Sequence, residues 1–152
     1  SAIRNGNIPF ALEVTYPKAL EYYFRSLKMD RELERKNGIA INLTNIGSLY
    51  TKTGKFKEAE NYLKNALALS DTLGDTEGVK VINKLLSQLY DTTGRTKLAF
   101  EHYKLYIQYR DSLQNDENTK KQTQIEMQYE FDKQQAADSI KNAESAKHES
   151  IK

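Results

Sequence analysis

The side chains that most often perform chemistry are few in this sequence and are not arranged for it. The two histidines, His102 and His148, lie far apart and lack the spacing of metal ligands. His102 takes the place that Tyr62 holds 40 residues earlier, so we interpret it as an ordinary helix-surface residue. The chain has no cysteine, no phosphate-cradling glycine loop, no nucleophile elbow and no zinc motif. The sequence therefore predicts no enzyme and no cofactor or metal site.

Charged and aromatic residues do not form a site either. The 21 carboxylates alternate with 23 lysines and arginines, so we expect no carboxylate to have a shifted pKa. A net charge of +2 gives no basic footprint for nucleic acid. Six tyrosines resemble a stacking platform for sugars or bases, but most of them fall at predicted helix-packing positions: Tyr22, Tyr23, Tyr50, Tyr62, Tyr90 and Tyr103.

The segments that carry these side chains form a repeat, because similar residue types recur 40 positions apart. The matched pairs include Gly38 with Gly78, Ile46 with Leu86, Tyr50 with Tyr90, Gly54 with Gly94 and Ala59 with Ala99. Apolar residues between them have helical spacing. Gly54 and Gly94 can take the left-handed conformation that closes a helix, and Gly47 and Ala59 would let two helices approach closely. A fixed period of this length is typical of a repeat array.

The pattern predicts first helices near residues 36–53 and 76–93, and second helices near 16–30, 56–72 and 96–114. Residues 1–114 would form the repeats, and residues 115–152 a long C-terminal capping or linker helix. A hydrophobic content of 38% and a mean hydropathy of −0.76 suit an array in which each repeat buries its apolar stripe only against its neighbours.

Residues 15–114 resemble the tetratricopeptide repeat (TPR). Residues 46–50, Ile-Gly-Ser-Leu-Tyr, match its Leu-Gly-x-x-Tyr segment, and residues 86–90 match it more weakly. Gly54 and Phe56 match its turn, whereas Tyr106 stands where a small residue is expected. The long period is similar to the extended repeats of kinesin light chains and bacterial Rap-type regulators. The resemblance implies an all-α, right-handed α-solenoid of antiparallel helix pairs that binds a protein or peptide partner.

The exposed face of the first helices would line the concave groove of such an array. On that face we expect five residues to contact the partner: Asn45, Ser48, Lys52, Lys84 and Gln88. In the extended-repeat relatives an Asn in an Asn-Leu-Gly-like segment contacts partner chains, and the resemblance implies this role for Asn45. An amide can donate to and accept from a partner backbone at once. The alternative, that Asn45 braces neighbouring helices, stays open.

The two ends of the chain fit the repeat less well. We expect an irregular or truncated first helix over residues 1–14, with Thr15 capping the helix that follows. From about Asp116 the first-helix register returns, with Ile125 and Tyr129 in place of Leu85 and Leu89. We therefore expect a helix that is docked at first and projects later, either as a solvent-facing cap or as a connection to another domain. Its thin apolar stripe would also permit a homodimer.

Residues 109–139 resemble the tail of TPR regions in bacterial membrane signalling proteins of the sensor histidine kinase or nucleotide cyclase type. The resemblance implies the sensory or regulatory region of a larger protein, on the periplasmic side of the membrane. A stand-alone cytosolic adaptor and a structural oligomerisation module are the alternatives. The sequence has no apolar run long enough for membrane insertion, and we expect the chain to be a fragment of something longer.

Overall fold

The computed structural model of the chain describes residues 10–151, and it describes side chains from residue 16 to residue 149. It contains five α-helices: α1 (Phe10–Glu32), α2 (Lys36–Lys52), α3 (Phe56–Thr72), α4 (Thr76–Thr92) and α5 (Thr96–Ile151). No strand occurs within these residues. The all-α array of antiparallel helix pairs that the 40-residue offset predicts is confirmed.

The helices fall into two units, of which the first ends at Asp111 and the second begins at Ser112. In the first unit, α2 packs against α1 and α3, and α3 packs against α4. The Ser87 hydroxyl of α4 donates to the carbonyl oxygen of Ala99 in α5 at 2.9 Å. The buried core runs through all of these helices and comprises Leu27, Leu43, Ile46, Ala59, Leu63, Ala66, Ile82, Leu86, Leu89, Tyr90 and Ala99.

Helix α1 begins earlier than the sequence predicts. Its first residue is Phe10, so Thr15 lies inside the helix and does not cap it. Pro17 also lies inside α1, where it removes one backbone donor without ending the helix. The irregular segment expected over residues 1–14 falls mostly on residues 1–9, which are outside the described residues.

Each turn of the array contains one residue in the left-handed conformation. Gly54, Gly74 and Gly94 have φ of +79°, +68° and +76°, and Glu34 has φ of +54°. These positions (34, 54, 74, 94) lie 20 residues apart. After α2, the N–H of Lys55 donates to the carbonyl oxygen of Tyr50 at 2.8 Å, and the N–H of Gly54 to that of Thr51 at 3.2 Å. This is the Schellman pattern, which satisfies the last carbonyls of a helix.

The series of turns stops at residue 114, where Gln114 stands in place of Gly74. No left-handed residue occurs at this position, and α5 continues as one helix of 56 residues. α5 therefore runs without a break through residues 114 and 115, where the sequence predicts the boundary between two helices. Ile125, Tyr129 and Phe131 are 63%, 66% and 59% exposed, and every side chain from 114 to 149 is exposed.

Small residues allow α2 and α3 to approach closely, as the sequence predicts. A Cβ atom on Gly47 would lie 2.7 Å from Cγ of Leu63 and 3.3 Å from the carbonyl oxygen of Ala59. Ala59 is fully buried. The close approach fixes the side of α2 that faces α3, and it leaves the other side, with Ile41 and Asn45, for the groove.

Candidate partner-binding groove

The first cleft of the groove lies between α2 and the start of α4. It has a volume of about 250 Å³. Ala40, Ile41, Thr44 and Asn45 of α2 form one side, and the other residues that line it are Ser70, Asp75, Glu77, Gly78 and Val81. Ile41 is 60% exposed and Val81 39% exposed, so the cleft presents two uncovered apolar side chains beside the Asn45 amide.

The side chain of Asn45 makes no hydrogen bond, ion pair or ring contact within residues 10–151. Two other asparagines of the first helices behave differently. The Asn42 amide donates to Oγ of Ser26 at 3.1 Å and to Oδ2 of Asp30 at 2.9 Å. The Asn83 amide donates to the carbonyl oxygen of Val79 at 2.9 Å. These two are the bracing amides of the fold, while Asn45, which is half-buried, keeps its donor and acceptor unused.

A second cleft adjoins the first through Val81, which lines both. It has a volume of about 390 Å³ and is lined by Lys80, Val81, Lys84, Leu85, Gln88 and Tyr106. Two of the predicted partner-contacting residues, Lys84 and Gln88, therefore meet here. Ser48 is half-buried and Lys52 is exposed, and neither lines the first or the second cleft.

Tyr106 was not foreseen as part of this surface. The ammonium nitrogen of Lys84 lies 5.4 Å from the centroid of its ring, a cation–π contact. The sequence signal was present, because Tyr106 departs from the small residue at the equivalent positions Ser26 and Ala66. The sequence alone could not show where the larger tyrosine ring lies, because its position depends on the residues that face it.

His102 is a structural residue, and its interpretation as an ordinary surface residue is wrong. It is half-buried, and its Nδ1 lies 2.8 Å from Oδ1 of Asn83. Since the Asn83 amide nitrogen already donates to Val79, Oδ1 accepts and His102 Nδ1–H donates. The imidazole also packs on Tyr90, with ring centroids 5.4 Å apart, as Tyr62 packs on Tyr50 at 5.7 Å. Burial lowers the pKa of His102, with Glu101 opposing and Lys64 reinforcing the shift.

Glu60 contradicts the expectation that no carboxylate has a shifted pKa. Its carboxylate accepts from the Tyr90 hydroxyl at 3.1 Å and from Nη1 of Arg95 at 2.7 Å, and it pairs with Lys64 at 3.0 Å. Burial alone would raise the pKa of Glu60, but these hydrogen bonds outweigh it and the pKa is lowered. The network ties α3 to α4 and to the turn before α5.

The tyrosines divide between packing and exposure. Tyr90 is 1% exposed, and Tyr23, Tyr50 and Tyr62 are half-buried, as the packing interpretation requires. Tyr22 and Tyr103 are exposed, so four of the six tyrosines pack, in agreement with the interpretation that most of them do. Tyr103 follows the register of the fully buried Leu63, but no helix of the first unit follows α5 to cover it.

The histidine gives a pH prediction. Because the folded protein holds His102 with a pKa below its ordinary value of 6.5, the unfolded chain binds more protons as the pH falls through this range. The stability present above pH 6.5 is therefore lost progressively between that value and the lower folded pKa. We expect the melting temperature to fall from pH 8 to pH 5, and His102→Gln to flatten this part of the profile.

The control for the pH prediction is His148→Gln, since His148 lies in the exposed part of α5. This variant should keep the wild-type profile. The stability that Glu60 contributes is lost at a lower pH, because a carboxylate with a lowered pKa loses its contribution to stability only below its unfolded pKa of about 4.5. A His102→Gln profile that still falls between pH 6.5 and pH 5 would contradict the assignment.

Neither a metal site nor a membrane span is found in the described part of the chain. No group of three or more histidine and carboxylate side chains there could hold a metal ion. None of its helices combines the length and the apolar run needed to cross a bilayer.

Comparison with known families agrees with the geometry. The tetratricopeptide repeat model matches residues 15–72 and again residues 38–112, which together span more than half of the chain. None of the curated proteins compared with the chain matches it. The matched residues include α2, α3, α4 and the beginning of α5, which together line the two clefts. Repeats of this family indicate a protein–protein interaction module. The chain belongs to the tetratricopeptide repeat family.

Proposed function

We propose that the concave face of α2 and α4 binds an extended or helical segment of a partner protein, with Asn45 as its central polar contact. The observation that carries this proposal is the unpartnered amide of Asn45 between the exposed apolar side chains of Ile41 and Val81. An amide that no other group of the described chain binds stays available to a ligand that supplies both a donor and an acceptor.

The chemistry of the cleft favours a peptide backbone over a small molecule. One amide beside two apolar side chains can pair with a single peptide group while Ile41 and Val81 cover the side chains on either side of it. Ser48 and Lys52 continue the same face of α2 toward its C-terminus, and neither makes a contact that would occupy it. Lys84 and Gln88 extend the face along α4.

The proposal predicts the effect of a double substitution. Peptides selected from a random displayed library on the wild-type protein should lose affinity about tenfold or more for Asn45→Ala with Lys84→Ala, since truncation of central polar contacts has effects of this size. Fluorescence polarisation of the labelled peptides measures the affinity. Circular dichroism should show an unchanged fold, because neither side chain supports the core.

The matched control is Asn65→Ala with Lys57→Ala. Both residues lie on α3, both are exposed, and neither makes a hydrogen bond, ion pair or ring contact within the described residues. This variant should bind the selected peptides as the wild type does. Equal affinity of the groove variant and the wild type would place the site elsewhere.

We also propose that the chain serves as the sensory or regulatory region of a larger bacterial signalling protein, on the periplasmic side of a membrane. The resemblance of residues 109–139 supports this context, and so does the uninterrupted α5, which suits a connection to an output domain. The gene sequence tests it. An apolar span of about 20 residues soon after Lys152 is expected, and an open reading frame without one would favour the cytosolic adaptor.

The exposed part of α5 is the candidate for a homodimer contact. Ala136, Ile140 and Ala143 share one side of the helix, and an isolated polar helix is marginal in water. Single cysteines at these positions should crosslink more efficiently than one at Gln135, on another side. Equal and weak crosslinking at all four, with unprotected amides after Lys133, would rule out pairing.

A further inference from the structure

The end of the first unit carries a second exposed surface, formed by Tyr103, Tyr106 and Arg110 of α5 with Lys84, Leu85 and Gln88 of α4. We call it the end face. Its equivalent one repeat earlier on α3 is Leu63, Ala66 and Ser70, which are 0%, 0% and 1% exposed because α3 packs between α2 and α4. Tyr103 is 50% exposed, Tyr106 is half-buried and Arg110 is exposed. The end face therefore occupies the position that the next helix covers one repeat earlier, but no helix of the first unit covers it here.

The two clefts of the groove differ from each other in the same way. Four residues of the second cleft, Lys80, Val81, Lys84 and Leu85, are the 40-residue equivalents of Ala40, Ile41, Thr44 and Asn45 in the first. The first cleft is closed by the beginning of α4, which brings the carboxylates of Asp75 and Glu77. The second cleft has lining residues from α4 and α5 only. In the second cleft, none of the described residues occupies the side that Asp75, Glu77 and the beginning of α4 close in the first cleft.

The charges of the end face indicate what could fill that side. The Lys84 ammonium lies 5.4 Å from the Tyr106 ring centroid, and the Arg110 guanidinium lies 6.0 Å from the same centroid. Lys80 pairs with Glu77, and Arg110 with Asp111, but Lys84 has no carboxylate partner within residues 10–151. The rings of Tyr103 and Tyr106 lie 5.9 Å apart and form the apolar centre of this cationic surface.

We propose that the end face docks an amphipathic helix of a partner protein, with the helix's apolar residues on Tyr103 and Tyr106 and its carboxylates beside Lys84 and Arg110. A second copy of this face is disfavoured, because it would bring the same cations together. The end face shares Lys84, Leu85, Gln88 and Tyr106 with the second cleft of the groove, and it extends beyond the groove to Tyr103 and Arg110. Asn45 takes no part in it.

The test uses a displayed library of short amphipathic helices selected on the full chain, and the tightest recovered helix is the probe. Its apolar stripe should be flanked by Glu or Asp. Tyr106→Ala should weaken its binding about tenfold or more, as should Lys84→Glu with Arg110→Glu. Tyr106→Ala gives position 106 the residue type found at position 66, so we expect the fold to persist, and circular dichroism checks it.

Exchanging the charges of the probe and the protein distinguishes a direct contact at Lys84 and Arg110 from an indirect effect of the substitutions. A probe whose acidic residues are changed to lysine should bind the Lys84→Glu with Arg110→Glu variant better than it binds the wild type. Tyr22→Ala and Lys28→Glu with Lys57→Glu are the controls for an exposed tyrosine and two exposed lysines, and they should bind the acidic probe normally. Asn45→Ala should also leave this affinity unchanged, whereas it lowers affinity for the groove peptides, so the two sites can fail separately.

Two results would overturn the proposal. The first is a selection that yields no helix, or only helices without acidic flanks whose affinity Tyr106→Ala leaves intact. The second is a dimer of the protein alone in sedimentation velocity that Tyr106→Ala dissociates, which would assign the end face to a second copy of the chain.

Discussion

Ala59→Leu should lower the free energy of unfolding by about 1–3 kcal/mol, the cost of extra methylenes in a filled core. Ala59 is fully buried, and its carbonyl oxygen lies 3.3 Å from the place of a Cβ on Gly47. The larger side chain has no space between α2 and α3 unless these helices separate. Urea unfolding followed by circular dichroism measures the loss.

The control for this substitution lies on the same helix. Ala68 is exposed, so Ala68→Leu adds the same atoms without filling an interhelical space and should change the stability little. If Ala59→Leu were as stable as Ala68→Leu, the faces assigned to α2 and α3 would be wrong.

Gly54→Val should destabilise the protein by more than about 1 kcal/mol, because a β-branched residue is strained in the left-handed conformation. Gly54 has φ of +79°, and a Cβ atom there would meet nothing within 4 Å. The cost therefore comes from the backbone alone and not from a clash. The midpoint of thermal or urea unfolding measures it.

Gly54→Asn tests the same explanation with a side chain that tolerates the left-handed conformation. Its loss should be clearly smaller than that of Gly54→Val. Two variants of equal stability would mean that the conformation at residue 54 does not limit the turn.

The sequence contained the information for the helix pairs, because the 40-residue offset places glycines at the turns 54 and 94. The predicted helix bounds also left a connection between residues 30 and 36, but they did not identify Glu34 as its left-handed residue, since a glutamate is uncommon at positive φ. The continuation of α5 could have been anticipated from Gln114, which replaces Gly74 in the next repeat.

The candidate site was predictable in its faces but not in its contacts. Helical spacing places Asn45 away from the packing stripe, yet only the structure distinguishes it from Asn42, whose amide is bonded to Ser26 and Asp30. The roles of His102 and Glu60 depend on partners 19 and 30 residues away in sequence. A repeat pattern does not fix such pairs, because they differ between its copies.

The side-chain amide of Asn45 offers the most direct measurement of the central claim, that this unpartnered group contacts the partner. In ¹H–¹⁵N spectra of the labelled protein, titration with a library-selected groove peptide should shift the Asn45 NH₂ resonances. The NH₂ resonances of Asn42 and Asn83, already bonded within the fold, should stay in place. Saturation of the protein by the peptide with Asn45 unchanged, and with shifts confined to α3 or to α5 beyond Ser112, would contradict the account.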